Sequence, residues 1–302
     1  MSASRRAFLA AAGALAGHGA RRSVLGAAAG AAWLAGPVAT AQPVSRSRLF
    51  DCHCHIIDHR FPIVPNQGYV PPHFPLEVYR TRATLLGIEG GAVVSGSFHG
   101  FDQTYLKAAL ARLGSGWVGV TQVPNDFPDK DMAELEGIGV RALRFNLFRG
   151  RVDSVDDLVS LARRAHSAAG WHAEIYADAA SLAPHVAALS KLPRIVIDHL
   201  GMTEAGLPAL LDLVRAGAKV KATGFGRVKM DVASAIERIA KVNPAALMFG
   251  SDLPSTRAER PFQIEDITLI ERVLGRDLAG KIYWDNAVEL YRPPGADLEM
   301  CL

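Results

Sequence analysis

Past residue 48 the chain alternates short apolar runs with longer amphipathic ones, and no other feature constrains its fold as strongly. Strand-like runs fall at 49–53, 91–97, 117–123, 140–146, 171–177, 194–199, 218–223 and 246–252. Apolar spacing of i, i+3, i+4 predicts helices at 77–86, 102–113, 154–169, 181–192, 207–216, 231–242 and 264–274, with a shorter unit at 129–139. Asp102 and Ser154 are placed to cap helix N-termini, and Gly87, Gly114, Gly170 and Gly217 follow C-termini. Eight such β-then-α units in about 250 residues predict an α/β fold, a (β/α)8 TIM barrel formed as a single domain by residues 42–302. A doubly wound open sheet is the alternative, but no glycine-rich phosphate loop follows the first strand.

Residues 1–41 have a different character. Ser4-Arg5-Arg6-Ala7-Phe8-Leu9 resembles a twin-arginine motif; two alanine-rich runs follow, and Ala39-Thr40-Ala41 offers a small-residue cleavage site. Neither apolar run reaches the roughly 18 residues of a spanning helix, so the expectation is an export signal rather than a stable membrane anchor, and a periplasmic or extracellular protein. The formal charge of +3 depends on this segment, whose four arginines are accompanied by no acid; without it the net charge is −1. That leaves no electrostatic footprint for nucleic acid, and a small-molecule substrate is the expected partner. Three cysteines, Cys52, Cys54 and Cys301, are no disulfide framework.

In a barrel of this kind the chemistry lies at the carboxyl ends of the strands. Those ends carry His53 and His55, Ser95 and Ser97 with His99 beyond, Gln122, Arg144 and Asn146, Glu174 and Tyr176, Asp198 and His199, Lys221 and Thr223, and Ser251 and Asp252. Strict alternation turns His53 and His55 to one face and Cys52 and Cys54 to the other, where the thiols would pack beneath a helix. His53, His55, His199 and Asp252 could hold one divalent metal with a position open for water. The same four groups could instead act without metal, Asp252 as base and the histidines as donors to an oxyanion. The cofactor expectation is therefore none or a single zinc ion. Arg144, Arg149, Arg151, Lys221 and Arg227 form a cationic rim suited to a carboxylated substrate. The proline-rich stretch after the first strand is expected to cover the site.

Six ordered motifs carry a family resemblance: Asp51-Cys52-His53-Cys54-His55, Ser97-Phe98-His99-Gly100-Phe101-Asp102, Gly139-Val140-Arg141-Ala142-Leu143-Arg144-Phe145-Asn146, Ile197-Asp198-His199-Leu200-Gly201, Phe249-Gly250-Ser251-Asp252-Leu253-Pro254 and Asp285-Asn286-Ala287-Val288-Glu289-Leu290-Tyr291. In this order they resemble the amidohydrolase-2 branch of the amidohydrolase superfamily, and within it most the 2-pyrone-4,6-dicarboxylate lactonase group. The resemblance implies a lactonase-like hydrolase with Asp252 as base, His53, His55 and His199 as polarising groups, and Arg144, Tyr176 and Arg227 as substrate contacts; His99 is a further substrate-binding candidate. Other members of the branch bind zinc through equivalent ligands, which implies a mononuclear zinc hydrolase or non-oxidative decarboxylase as the alternative. A non-catalytic small-molecule binding protein is the alternative of another class. The chain departs from the pattern at three places. Strand 4 lacks the lysine of two-metal members, Met202 stands where the lactonase group has arginine, and Ser255 where it has histidine.

Overall fold

The computed structural model describes residues 48–149 and 154–295, so the expected export signal, Arg151 and Cys301 lie outside the described residues. Eight parallel strands are hydrogen-bonded in sequence order: β1 (Leu49–Cys54), β2 (Ile88–Val94), β3 (Trp117–Thr121), β4 (Val140–Asn146), β5 (His172–Tyr176), β6 (Ile195–Ile197), β7 (Lys219–Ala222) and β8 (Leu247–Phe249). The ring closes just past β8, where the Asp252 N–H donates to the His53 carbonyl at 2.7 Å and the His55 N–H to the Leu253 carbonyl at 2.8 Å. With helices between the strands, this is the (β/α)8 barrel expected from the alternation.

The helices are α1 (Leu76–Leu86), α2 (Thr104–Leu113), α3 (Asp129–Gly137), α4 (Val155–Ala169), α5 (Ala179–Leu182), α6 (Val186–Leu189), α7 (Leu207–Arg215), α8 (Val232–Val242), α9 (Ile264–Leu274), α10 (Arg276–Gly280) and α11 (Asn286–Tyr291). Ser154 caps α4 by accepting from the Asp157 N–H, and Asp102 accepts from the Thr104 N–H at the start of α2. One expected helix is broken. Across 181–192 a 3-10 turn at Ala183–His185 separates α5 from α6, because Pro184 has no N–H for the helical ladder. The second strand begins at Ile88, three residues before the expected start at Gly91, since Glu89 and Gly90 interrupt the apolar pattern. Gly90 and Gly91 are both strand residues, and a Cβ on Gly91 would lie 2.6 Å from the Trp117 ring and 2.7 Å from the Asp51 carbonyl.

Strict alternation also fails in β1. The register with β2 shifts between Asp51 and Cys54, as a bulge would require. Cys52 therefore joins the barrel-interior cluster with Ala92, Val118, Val120, Met248 and Tyr291, whereas Cys54 lies beside Asp51 and Tyr79. The two thiols do not share a face. α11 closes one end of this interior: Tyr291 stacks on Phe50 with ring centroids 5.6 Å apart, and the Asn286 amide donates to the Leu247 carbonyl at 2.9 Å.

Candidate active site

Two imidazoles reach the site because β1 bulges beneath them. The first-strand carboxylate does not enter it. Asp51 Oδ1 accepts from the backbone N–H groups of His53 (3.1 Å) and Ser251 (2.8 Å), and Oδ2 from the hydroxyls of Tyr79 (2.9 Å) and Ser251 (2.6 Å). It ties β1 to the segment after β8, and burial, only partly offset by these bonds, raises its pKa to about 6.

Around the cleft, His53 and His55 meet at right angles with ring centroids 5.0 Å apart, and His199 lies 4.7 Å from His53. Asp252 Oδ1 is 3.9 Å from His53 Nε2 and 3.8 Å from His55 Nε2. His199 and Asp252 both have left-handed backbones, at φ 50° and 56°. Such a conformation costs a residue other than glycine of order 1–3 kcal/mol and is concentrated at functional sites. All four side chains are buried, and His53 Nε2, His199 Nδ1 and Asp252 Oδ1 have no hydrogen-bond partner among the described residues. His53 Nε2 and Asp252 Oδ1, 3.9 Å apart, face one space, and unmet buried polar atoms so placed indicate a ligand, whether water, substrate or metal.

The electrostatics separate these groups. Burial lowers the basicity of all three histidines; Lys221 lowers His53 further, Arg144 lowers His55, and Arg227 lowers His199, so each ring is held neutral. His55 Nδ1 lies 2.7 Å from the Val94 carbonyl, which can only accept, so Nδ1 carries the proton and Nε2 is bare. Burial raises the pKa of Asp252, while Arg227, donating to Oδ2 through Nε at 2.9 Å and through Nη2, opposes it.

Beneath the histidines lies a network that the strand-end reading did not resolve. Lys221, read as a rim cation, is completely buried: its ammonium donates to Glu174 Oε2, sits 3.2 Å from His53 Nδ1 and faces Asp198 Oδ1 at 3.4 Å. Asp198 also accepts from Arg144 through Nε (3.1 Å) and Nη2 (3.0 Å), while Arg144 Nη1 donates to the Ser95 carbonyl at 2.9 Å. Burial alone would raise Asp198, but Lys221, His53 and Arg144 together hold it well below the usual carboxylate range. Three carboxylates, Glu174, Asp198 and Asp252, are thus matched by Lys221, Arg144 and Arg227. The signal available in the sequence was a lysine between Val220 and Ala222 on a short strand, a place that water does not reach.

Arg144, Tyr176 and Arg227 line the cleft with His55 and His199, as does Arg149. His99 is not brought there. Its Nε2 donates to the Ile56 carbonyl at 3.0 Å, Nδ1 accepts from the Gly96 N–H at 3.0 Å, and the ring stacks on Tyr105 at 3.7 Å. Four lining residues came without warning: Tyr69, Gly96, Thr256 and Arg257. Tyr69, from the proline-rich loop after β1, meets Arg257, from the loop after β8, whose guanidinium lies 4.3 Å over its ring.

A family model described as amidohydrolase matches residues 50–292. The chain belongs to the amidohydrolase family. Among curated proteins, this amidohydrolase is 32% identical over 157 residues to the 2-pyrone-4,6-dicarboxylate hydrolase of Comamonas testosteroni, a match covering 50% of this chain and 51% of that one. It thus spans about half the length of that relative. Among solved structures, a candidate 2-pyrone-4,6-dicarboxylic acid hydrolase of Pseudomonas putida is 25% identical with a TM-score of 0.72, over 82% of this chain and 98% of that one. A second candidate hydrolase of the same name, from Acinetobacter baumannii with citric acid bound, is 20% identical with a TM-score of 0.71 over 81% and 99%. At that identity the likeness shows the barrel alone.

Proposed function

We propose that this amidohydrolase opens a lactone or similar cyclic ester of a small carboxylated substrate. The observation that carries the reading is the bare, buried Oδ1 of Asp252, facing the Nε2 atoms of His53 and His55 while Arg227 occupies the other carboxylate oxygen. A water in front of these atoms would donate one hydrogen to Asp252 and the other to the bare Nε2 of His55. Asp252 takes the proton as the water oxygen bonds to the ester carbonyl carbon, and the resulting oxyanion is met by His53 and His199. When the ring C–O bond breaks, the leaving oxygen takes the proton back from Asp252, so ester and water yield a hydroxyl (or its keto tautomer) and a carboxylic acid. Arg144, Tyr176 and Arg227 hold the substrate carboxylates. The name of the Comamonas relative supports the substrate class.

A zinc-dependent reading has its own observation: ligand atoms of His53, His55 and Asp252, and likewise of His53, Asp198 and His199, lie within 4.8 Å of one another. His53, His55 and Asp252, two imidazoles and a carboxylate, would fit a single zinc ion, which when bound would acidify water and polarise a carbonyl. Turnover of a panel of lactones, including 2-pyrone-4,6-dicarboxylate, by chelated and by zinc-loaded protein decides between the two readings. Hydrolysis by the chelated protein is the expected result. Stoichiometric zinc with turnover that disappears on chelation would replace the proposal by the zinc reading.

A further inference from the structure

We propose that Lys221 is a positioning residue that fixes the tautomer of His53, so that Nε2 carries the ring proton into the cleft as a hydrogen-bond donor. The inference rests on the hydrolytic reading for its consequence but not for its geometry. An ammonium has hydrogens and no lone pair. At 3.2 Å its contact with His53 Nδ1 is attractive only if Nδ1 is the acceptor. The competing arrangement has Nδ1–H donating to Asp198 Oδ1 at 3.5 Å, which turns a protonated ring nitrogen toward the ammonium beside it. Lys221 is anchored against that exchange by its bond to Glu174 Oε2, and Glu174 is itself held by His172 Nε2 at 3.1 Å and the Tyr291 hydroxyl at 2.5 Å. Asp198 takes both Arg144 donors on Oδ2, and its Oδ1 faces the Lys221 ammonium at 3.4 Å, nearer than the imidazole at 3.5 Å.

The consequence is a division of labour between two adjacent histidines. The Val94 carbonyl leaves His55 Nε2 bare, while Lys221 leaves His53 Nε2 protonated. One ring accepts from water and the other donates to the developing oxyanion, with Asp252 Oδ1 between them. Turning the His53 ring to the other tautomer would remove the donor and present two bare imidazole nitrogens beside a carboxylate, the arrangement a metal ion needs. Lys221 therefore governs which of the two chemistries the constellation favours, without touching substrate.

The test is tautomer-selective NMR of protein labelled with 15N-histidine, in which the His53 signals are identified by their loss in His53→Gln. The wild-type protein is expected to show Nε2–H with bare Nδ1 at His53, and Lys221→Met to show Nδ1–H. In parallel kcat for 2-pyrone-4,6-dicarboxylate should fall about 10- to 100-fold with KM nearly unchanged. Lys221→Gln, whose amide can still donate to Nδ1, should keep the tautomer and recover part of kcat. Should Lys221→Met fail to fold, Lys221→Met/Glu174→Gln, which removes one charge of each sign, carries the same measurements. Nδ1–H in the wild-type protein, or an unchanged tautomer once the ammonium is gone, overturns the proposal. The NMR result requires no turnover, so failure of the lactone reading is told apart from failure of this one.

Discussion

Asp252 is the residue on which the proposed chemistry turns. Its burial among three neutral imidazoles makes it a stronger base than an exposed carboxylate, and Arg227 keeps it from being neutralised altogether. Asp252→Asn keeps the shape and, with its amide oxygen turned to Arg227, that contact, but presents an NH2 to the cleft in place of the basic oxygen. We expect kcat to fall by about 10²- to 10⁴-fold with the thermal midpoint little changed; retained turnover on the true substrate would remove Asp252 from the base role. The raised pKa also fixes a sign. The base works ionised, so kcat/KM should decline as pH falls, with its acid limb centred above the ordinary carboxylate value of 3.8. A limb at or below that value would show that another group limits the rate. His53, His55, His199 and Asp252 were legible in the sequence because strand ends are few and polar residues there stand out. The partners that set their protonation were not, since the meeting of Lys221 with Glu174 and His53 joins residues 47 and 168 positions apart.

Between single residues and the barrel are the segments that aim these side chains, and two of them invite a test. After β7 the chain turns at Gly224, with φ at 65°, so closely against the site that a Cβ would lie 2.6 Å from His199 Nδ1 and 3.0 Å from Arg227. Gly224→Ala should therefore displace both side chains, lowering kcat/KM about 10²-fold while stability falls by only about 1 kcal/mol. Equal losses in the two would mean that the loop fails as a whole. The Asp51 clamp between β1 and the segment after β8 makes a more discriminating case. Its Oδ1 faces two N–H groups and its Oδ2 two hydroxyls, and hydroxyls can turn to accept. Asp51→Asn should cost less than about 1 kcal/mol, whereas Asp51→Ala, orphaning both N–H groups, should cost about 2–6 kcal/mol in urea unfolding. With its pKa raised to about 6 in the folded protein, Asp51 favours folding most below pH 3.8 and loses that contribution as pH rises toward 6. That part of the pH dependence should vanish in Asp51→Asn. At this scale the expected helices and strands were largely found, and the misses have local causes: Pro184 splits a helix, and Glu89 and Gly90 hide a strand start.

Across the whole molecule, the barrel joins a closed lower end to a reactive upper one through its own interior. Tyr291 of α11 stacks on Phe50 below and donates to Glu174 above, and Glu174 holds Lys221. Tyr291→Phe should lower stability by about 1–3 kcal/mol, read from the urea midpoint, while reducing kcat less than Lys221→Met, because Lys221 itself remains. An equal effect on kcat would place α11 inside the catalytic network. The eightfold alternation made the barrel readable in advance, since strand and helix periods differ and repeat. The contents of its interior were harder, because the bulge in β1 puts Cys52 inside the barrel and Cys54 outside it. That displacement has a practical side. Two buried thiols on opposite faces of one strand cannot join to each other in a disulfide. In a Cys301→Ser background they should stay silent toward maleimides in the native protein and react together only when the barrel opens, a built-in clock for its unfolding rate.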